Sequence, residues 1–195
     1  MVQPQSLAEL FSFYYQYVKP LYSATSAEND LPLEMLFELN AALDHIARHW
    51  NPNTTISEQQ CVKEAYGHMK RACFDIFKVF LRNTIDEYKK LQKIDTSLID
   101  NGEFDKNLYN LIGRIKKNAT AARENECLDV DQAFDGWLTV MEDCKTFNDK
   151  FLLNQHVEWA KAKNRRFSMK AIIISSIVRF GVGCLVRSFF LLLGK

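Results

Sequence analysis

Residues that break helices are scarce in this chain, which has seven glycines and four prolines among its 195 residues. No segment shows the strict alternation of apolar and polar residues that is typical of a half-buried strand. Apolar positions instead recur at intervals of three and four residues, the spacing of one helical face. The sequence therefore predicts an all-α protein, with a bundle of about five helices and a C-terminal membrane-associated helix.

Familiar catalytic and cofactor motifs are also missing. The sequence contains no H-E-x-x-H zinc motif, no G-x-S-x-G nucleophile elbow and no glycine-rich phosphate loop. Its five cysteines are scattered and form no C-x-x-C pair, which is typical of reduced thiols and not of a zinc site. We therefore expect no cofactor and no bound metal, and we favour a non-enzymatic function over an enzymatic one.

Caps and breakers predict where the helices begin and end. Pro20 is expected to stop the first helix, and Pro32 stands near the start of the second. A capping-box pattern that begins at Ser57 predicts the start of a very long third helix, and Asn101-Gly102 marks its latest end. The predicted helices run approximately over residues 6–18, 32–50, 57–100, 104–126 and 130–164, ahead of the tail helix.

Acidic residues are absent from the end of the chain, because Phe167 to Lys195 contains none. Within this stretch, Ala171–Leu193 is a run of 23 mostly apolar residues. A helix of that length can cross a hydrocarbon core of about 30 Å, since each residue adds about 1.5 Å. We therefore divide the chain into a helical bundle, residues 1–164, and a basic linker with a transmembrane or membrane-inserting helix, residues 165–195.

Two arginines, Arg179 and Arg187, interrupt the apolar run. Each costs about 3 kcal/mol near the centre of a spanning helix, whereas each large apolar residue returns about 0.3 to 0.6 kcal/mol, so insertion of an isolated helix is marginal. At about 100° per residue, the arginines share one third of the helix circumference with small residues. This tail stripe, the expected membrane or pore-lining surface, consists of Ser175, Ser176, Arg179, Gly183 and Arg187.

Three arrangements of the tail are open. In the first, it is a simple anchor whose arginines reach toward the headgroups. In the second, several copies assemble so that the tail stripe lines a pore or a contact between helices, because charges inside a membrane usually face a bundle interior. In the third, the helix lies flat in the membrane interface.

A basic cluster precedes the apolar run. From Trp159 onward the chain carries eight Lys or Arg and no acid, so a formal charge of +1 divides into +8 for this stretch and −7 for residues 1–158. The cluster is expected to meet an anionic leaflet and to keep the bundle on the cytoplasmic side of the membrane. The acidic bundle gives no reason to expect DNA binding. The basic cluster consists of Lys161, Lys163, Arg165, Arg166 and Lys170.

Polar side chains recur on the second and third predicted helices, which a short connection makes antiparallel neighbours. Mixed charges at helical spacing, such as Glu64 with His68, usually form a solvated face of ion pairs. A polar site between the two helices is the alternative. The catalytic candidates in such a site are Asn40, His45, His68 and Arg71.

The segment Asn40-Ala41-Ala42-Leu43-Asp44-His45 resembles the R-x-x-x-x-H motif of the all-helical HEPN proteins, often R-N-x-x-x-H, and the resemblance covers chiefly residues 32–100. In the ribonucleases of that family, the arginine stabilises a charged phosphate and the histidine moves protons or positions the 2′-hydroxyl, usually across a dimer. Asn40 stands where those enzymes have arginine and cannot supply the charge. Of the two functional residues in the motif, only the histidine has a counterpart in this sequence, His45.

A HEPN-like helical body with one hydrophobic segment is similar to the membrane accessory proteins encoded beside type VI-B CRISPR effectors, which target RNA. The similarity implies a homo-oligomeric protein of the lipid bilayer that supports antiphage defence by forming a pore or perturbing the membrane. Its partner would be an RNA-guided effector or the RNA products of that effector. Two alternatives are open: a membrane-tethered HEPN-type ribonuclease that uses His45 with His68 or Arg71, and a passive tail-anchored scaffold.

Overall fold

The computed structural model describes the backbone of residues 3–27, 30–97 and 99–193, and their side chains except those of residues 27, 167, 168, 171 and 179–193. Within these ranges the protein is all-helical and contains no strand, which confirms the all-α part of the predicted fold class. The helices are α1 (Leu7–Phe13), α2 (Lys19–Ala27), α3 (Leu33–Trp50), α4 (Glu58–Leu91), α5 (Glu103–Asn125), α6 (Val130–Phe147) and α7 (Gln155–Leu193).

Helix α4 is the central element of the bundle, since it contacts α1, α2, α3 and α6, while α5 packs mainly on α6. The core is rich in aromatic side chains. The ring of Phe134 on α6 contacts Phe13 on α1 and Phe77 on α4, with centroid distances of 5.5 and 5.8 Å. Phe77 also stacks on Trp137, and both side chains are fully buried. These contacts hold the N-terminal helix, the long helix and α6 together as one bundle.

The prediction that Pro20 ends the first helix is wrong. The chain continues through a π-helical turn, Tyr14–Val18, into α2, in which Pro20 is the second residue. In the π-helical turn the amide of Lys19 donates to the carbonyl of Tyr14, five residues earlier. The missing N–H of Pro20 therefore falls in the first turn of a new α-helical segment, where proline is tolerated.

The start of α4 confirms the predicted cap, because the Ser57 hydroxyl accepts a hydrogen bond of 3.2 Å from the Gln60 amide. The end differs from the prediction, since α4 stops at Leu91 and not near residue 100. Beyond it, the Asp95 carboxylate accepts hydrogen bonds from both the amide and the hydroxyl of Ser97. Such local side-chain bonds favour a turn over continued helix.

The prediction of one continuous fifth helix over residues 130–164 is wrong. Helix α6 is followed by a π-helical turn, Asn148–Leu152, and then by a separate helix, α7. The side-chain oxygen of Asn154 accepts a hydrogen bond of 2.9 Å from the backbone amide of His156. This bond satisfies one of the free amides at the N-terminus of α7. Helix α7 then continues without a break across residues 164 and 165, where the sequence suggested a change of element.

Helix α7 begins in the bundle and extends beyond it. Val157 and Ala160 are buried, whereas every side chain described from residue 172 to residue 178 is exposed. In the part of the chain that the structure describes, no helix is long and apolar enough to cross a membrane.

Candidate functional site

Helices α3 and α4 bring the predicted polar residues together. Glu38 and His45 are seven residues apart and lie on the same face of α3. On α4, spacings of four and three residues likewise align Glu64, His68 and Arg71. Contacts run in opposite directions along the two helices, with Glu38 against Arg71 and His45 against Glu64, so the helices are antiparallel.

The imidazole rings of His45 and His68 meet between these helices. Their Nε2 atoms are 3.2 Å apart, and the ring planes differ by 26°. The other nitrogen of each ring faces a carboxylate. Nδ1 of His68 lies 2.6 Å from Oε2 of Glu38, in a hydrogen bond. Nδ1 of His45 lies 2.7 Å from Oε2 of Glu64, in an ion-pair contact that lacks hydrogen-bond alignment. The four side chains form one polar chain, hereafter the histidine cluster.

Proton positions in this cluster follow from its contacts. A neutral imidazole has one N–H and one acceptor nitrogen. If Nδ1–H of His68 donates to Glu38, Nε2 of His68 must accept, and Nε2–H of His45 donates to it. In that tautomer Nδ1 of His45, which faces Glu64, carries no hydrogen. The hydrogen bond between the rings thus couples the tautomer of His45 to that of His68.

Arg71 competes with Glu38 for the same imidazole nitrogen. Its Nε donates to Oε2 of Glu38 at 3.0 Å, and its Nη2 lies 2.7 Å from Nδ1 of His68. Arginine can donate to this nitrogen only when the nitrogen has no hydrogen, whereas the carboxylate favours an N–H there. Arg71 is exposed, and both imidazoles are partly exposed, so a solvent molecule or a ligand can reach the cluster.

Asn40 is not part of the histidine cluster. It is exposed on α3, and the five-residue separation from His45 places the two side chains about 140° apart around the helix. The structure therefore unites three of the four candidate residues, His45, His68 and Arg71, and leaves out the residue that occupies the arginine position of the HEPN motif. The sequence analysis missed Glu38, although its seven-residue spacing from His45 is a usable signal.

The rest of the polar stripe on α4 forms ion pairs with other elements. The Lys78 ammonium lies 3.1 Å from the Glu126 carboxylate and 3.7 Å from that of Asp75. Burial raises the pKa of the Asp75 carboxyl, an effect that Lys78 opposes. This end of the stripe therefore agrees with the ion-paired alternative. Among the described residues, no group of three or more His, Cys, Asp or Glu could hold a metal ion.

The basic cluster lies on α7 where this helix leaves the bundle. The Lys163 ammonium stands 5.0 Å from the centre of the exposed Trp159 ring, and Lys161 bonds to Glu158 at 2.6 Å. The remaining members, Arg165, Arg166 and Lys170, are exposed. A groove of 330 Å³ runs along this surface, lined by Trp159, Ala162, Lys163, Arg166 and Lys170.

Only part of the predicted tail stripe lies within the described side chains. Ser175 and Ser176 are exposed, and the Ser175 hydroxyl donates to the Ile172 carbonyl at 3.0 Å. Residues 179, 183 and 187 belong to the backbone of α7, but the side chains of Arg179 and Arg187 lie outside the described set.

No protein-family model, no curated protein and no solved structure matches this chain. The functional conclusion therefore rests on the residues and their geometry.

Proposed function

We propose that this protein is a membrane-anchored, oligomeric helical protein whose α7 engages a lipid bilayer while the bundle stays on the cytoplasmic side. One observation supports it above all, namely a set of large apolar side chains on α7 that the bundle leaves uncovered. Their exposed fractions run from 54% for Ile173 to 65% for Ile177. The set consists of Ile172, Ile173, Ile174, Ile177 and Val178.

These side chains are spread over about 240° of the helix circumference, and Ser175 and Ser176 of the tail stripe lie on the same stretch of helix. Successive residues are 100° apart, so Ile172, Ile173 and Ile174 alone span 200° of its circumference, and Ile177 and Val178 add to the same belt. A single docking surface would cover only one side of such a helix. An apolar arc of this width exceeds the roughly 100° stripe with which a surface helix packs on one core, and it favours contact with lipid. Burial of one such side chain gains about 1.5 to 3 kcal/mol, which favours transfer of the whole belt out of water.

Neighbouring features of α7 suit a membrane interface. Trp159 and the basic cluster precede the apolar belt, in the order expected for headgroup contacts followed by acyl-chain contacts. Each Lys or Arg close to an anionic leaflet contributes about 1 kcal/mol of attraction. The hydroxyl of Ser175 bonds within its own helix, so it carries a smaller penalty in an apolar environment.

The biological role in this proposal is antiphage defence. Since Arg179 and Arg187 make insertion of one helix marginal, membrane engagement would depend on the assembly of several chains. Assembly would form a pore or perturb the membrane in support of an RNA-guided effector, as the resemblance to type VI-B accessory proteins implies. A passive tail-anchored scaffold would share the membrane binding but not the perturbation.

Vesicle experiments test this function. We expect the purified chain to float with vesicles that contain phosphatidylglycerol and to release an enclosed dye. The variant Ile173→Asp/Ile177→Asp should lower the bound fraction at least about tenfold, because two charges enter the apolar belt. Leu153→Asp, an exposed position ahead of α7, is the matched control and should bind normally. Equal binding by the double variant would contradict membrane engagement through α7.

The pore component has its own test. The variant Arg179→Leu/Arg187→Leu should still bind vesicles but should lose dye release if the arginines line a pore. Unchanged dye release by this variant would contradict the pore. If the unaltered chain bound vesicles without releasing dye, the passive scaffold would be the remaining function.

A membrane-tethered ribonuclease is the second candidate function, and the contact between His45 and His68 favours it. Attack by an RNA 2′-hydroxyl requires one group that accepts a proton and another that donates one. Two imidazoles in contact, each facing a carboxylate, have the residue types for these roles. Arg71 supplies a positive charge beside them, which Asn40 cannot.

A further inference from the structure

Helix α3 lies at the edge of the bundle, because it packs principally against α4. Its inner side supplies the buried Met35 and Ala42. Its outer side remains open and carries large apolar side chains whose exposed fractions run from 39% for Leu36 to 72% for Trp50. These exposed side chains are Leu33, Leu36, Phe37, Leu43 and Trp50.

The outer residues follow a heptad pattern. Steps of three and four residues alternate along the 18 residues of α3, which is the a and d spacing of a coiled coil. Phe37 flanks this row at an e position. We call the row the α3 seam; it consists of Leu33, Leu36, Asn40, Leu43, Ala47 and Trp50. All six side chains are exposed.

We propose that the α3 seam binds the same seam of a second copy of this chain and forms a two-fold dimer. An a and d row is self-complementary, since its side chains insert between those of an identical helix. The proposal deepens the function given above by naming a contact between copies, and it rests on that function only for the statement that the chain oligomerises. It does not require α7 to bind lipid.

Asn40 identifies the partner. It is the single amide in the seam, at an a position, and asparagine there is the known device that fixes register between coiled-coil helices at some cost in stability. A purely apolar partner would bury its amide without a hydrogen bond. A second Asn40 supplies both a donor and an acceptor, so a seam that meets its own copy satisfies both amides in one register.

Charge and exposure are consistent with self-association. The charged neighbours Asp44 and Arg48 pair with each other on the same helix, 2.6 Å apart, so this pair brings no net charge to the seam. Four of the five exposed apolar side chains of α3 are more than 60% exposed, and a contiguous apolar patch of that kind marks an interaction surface. Because α4 already holds α3 helical, dimerisation does not have to order it.

Molar mass of the full chain in detergent tests the seam. We expect an oligomer for the unaltered chain, and half its mass or less for Leu36→Glu/Leu43→Glu, because two charges per chain enter the seam. Tyr109→Glu, at an exposed position on α5, should keep the original mass. Circular dichroism checks that each variant remains folded. A monomeric unaltered chain, or an unchanged mass for the seam variant, would overturn the proposal.

Cross-linking gives a second measurement that does not depend on disrupting the fold. In a Cys127→Ser/Cys184→Ser background, in which the other three cysteines are buried, Asn40→Cys should oxidise to a covalent dimer at least about tenfold faster than Lys106→Cys on the exposed surface of α5. Equal rates of disulfide formation for the two variants would overturn the register in which Asn40 meets Asn40 of a second copy. Vesicle flotation of the seam variant separates the two proposals, since we expect a monomer that still binds lipid through α7.

Discussion

His45 and His68 lie 23 residues apart in the sequence and on different helices, yet their Nε2 atoms share a hydrogen bond of 3.2 Å. Each ring faces a carboxylate with its other nitrogen, Glu64 for His45 and Glu38 for His68. This relationship separates the histidine cluster from an ordinary surface ion pair, because the hydrogen bond between the rings links the tautomer of one imidazole to that of the other.

The histidine cluster leads to a prediction about RNA cleavage. Under the second candidate function, the purified chain should cleave single-stranded RNA, and His45→Ala and His68→Ala should each lower the rate at least about 100-fold, since each removes one partner of proton transfer. His156→Ala is the matched control, because this exposed histidine lies near the start of α7 and outside the cluster. Gel assays of labelled RNA measure the rates.

Two results would contradict the ribonuclease. If the unaltered chain did not cleave RNA, the histidine cluster would have a structural role and not a catalytic one. Full cleavage by His45→Ala would mean that His45 takes no part in the reaction, which removes the proposed mechanism.

Lys70 provides a prediction about stability. Its side chain is 3% exposed and forms an ion pair with Asp131, which is 45% exposed, and its ammonium lies 4.6 Å from the centre of the Tyr66 ring. Asp131→Asn leaves a buried ammonium without its carboxylate and should lower the free energy of unfolding by about 3 kcal/mol. Lys70→Met leaves only a hydrated carboxylate and should cost less than about 1 kcal/mol.

Urea denaturation of both variants measures this asymmetry. Asp86→Asn is a suitable control, since Asp86 pairs with Lys89 on the exposed surface of α4 and its loss should not change stability measurably. If Lys70→Met proved as destabilising as Asp131→Asn, the ammonium itself, through its contact with the Tyr66 ring, would be the stabilising group.

The hydrogen bonds of the Asp30 carboxylate lead to a prediction about how stability depends on pH. Its carboxylate accepts hydrogen bonds from Asn83 at 2.9 Å and from Arg82 at 2.8 and 2.9 Å, and these bonds hold the pKa of Asp30 below its usual value. A lowered pKa means that folding favours the ionised form. The resulting stability is fully present above the pKa of the unfolded carboxyl, about 3.9, and is lost as pH falls through the lower pKa of the folded state.

We therefore expect Asp30→Asn to be less stable than the unaltered chain at pH 7, with a difference that shrinks as pH falls from about 5 toward 2. Chemical denaturation across this range measures the difference. Arg82→Gln should show the same trend to a smaller extent, because Asn83 remains. A difference that stays constant with pH would mean that the amide disturbs packing and that ionisation is not the cause.

Local signals predicted much of the fold. Pro32 and Ser57 stand where α3 and α4 begin, because a fixed φ angle and a capping hydroxyl act within one helical turn. The errors at Pro20 and Leu91 have a common reason. Whether a helix passes a proline or stops at a turn depends on a shifted hydrogen-bond pattern or on competing side-chain bonds, and neither is visible in apolar periodicity.

The candidate site was predictable in part. Helical spacing indicated that Glu64, His68 and Arg71 share a face, because that depends on one helix alone. The contact of His68 with His45, and its contact with Glu38, depend on the axial and rotational position of α3 relative to α4. That register is set by packing between the helices, which no local pattern records.

The sequence by itself determined the helical class, the charge asymmetry and the apolar run of the tail, since these are properties of composition and spacing along one chain. Tertiary structure alone decided which side chains meet. Packing of α3 on α4 turns His45 inward to His68 and turns Asn40 outward in the α3 seam, because residues 140° apart on one helix cannot both face the same neighbour.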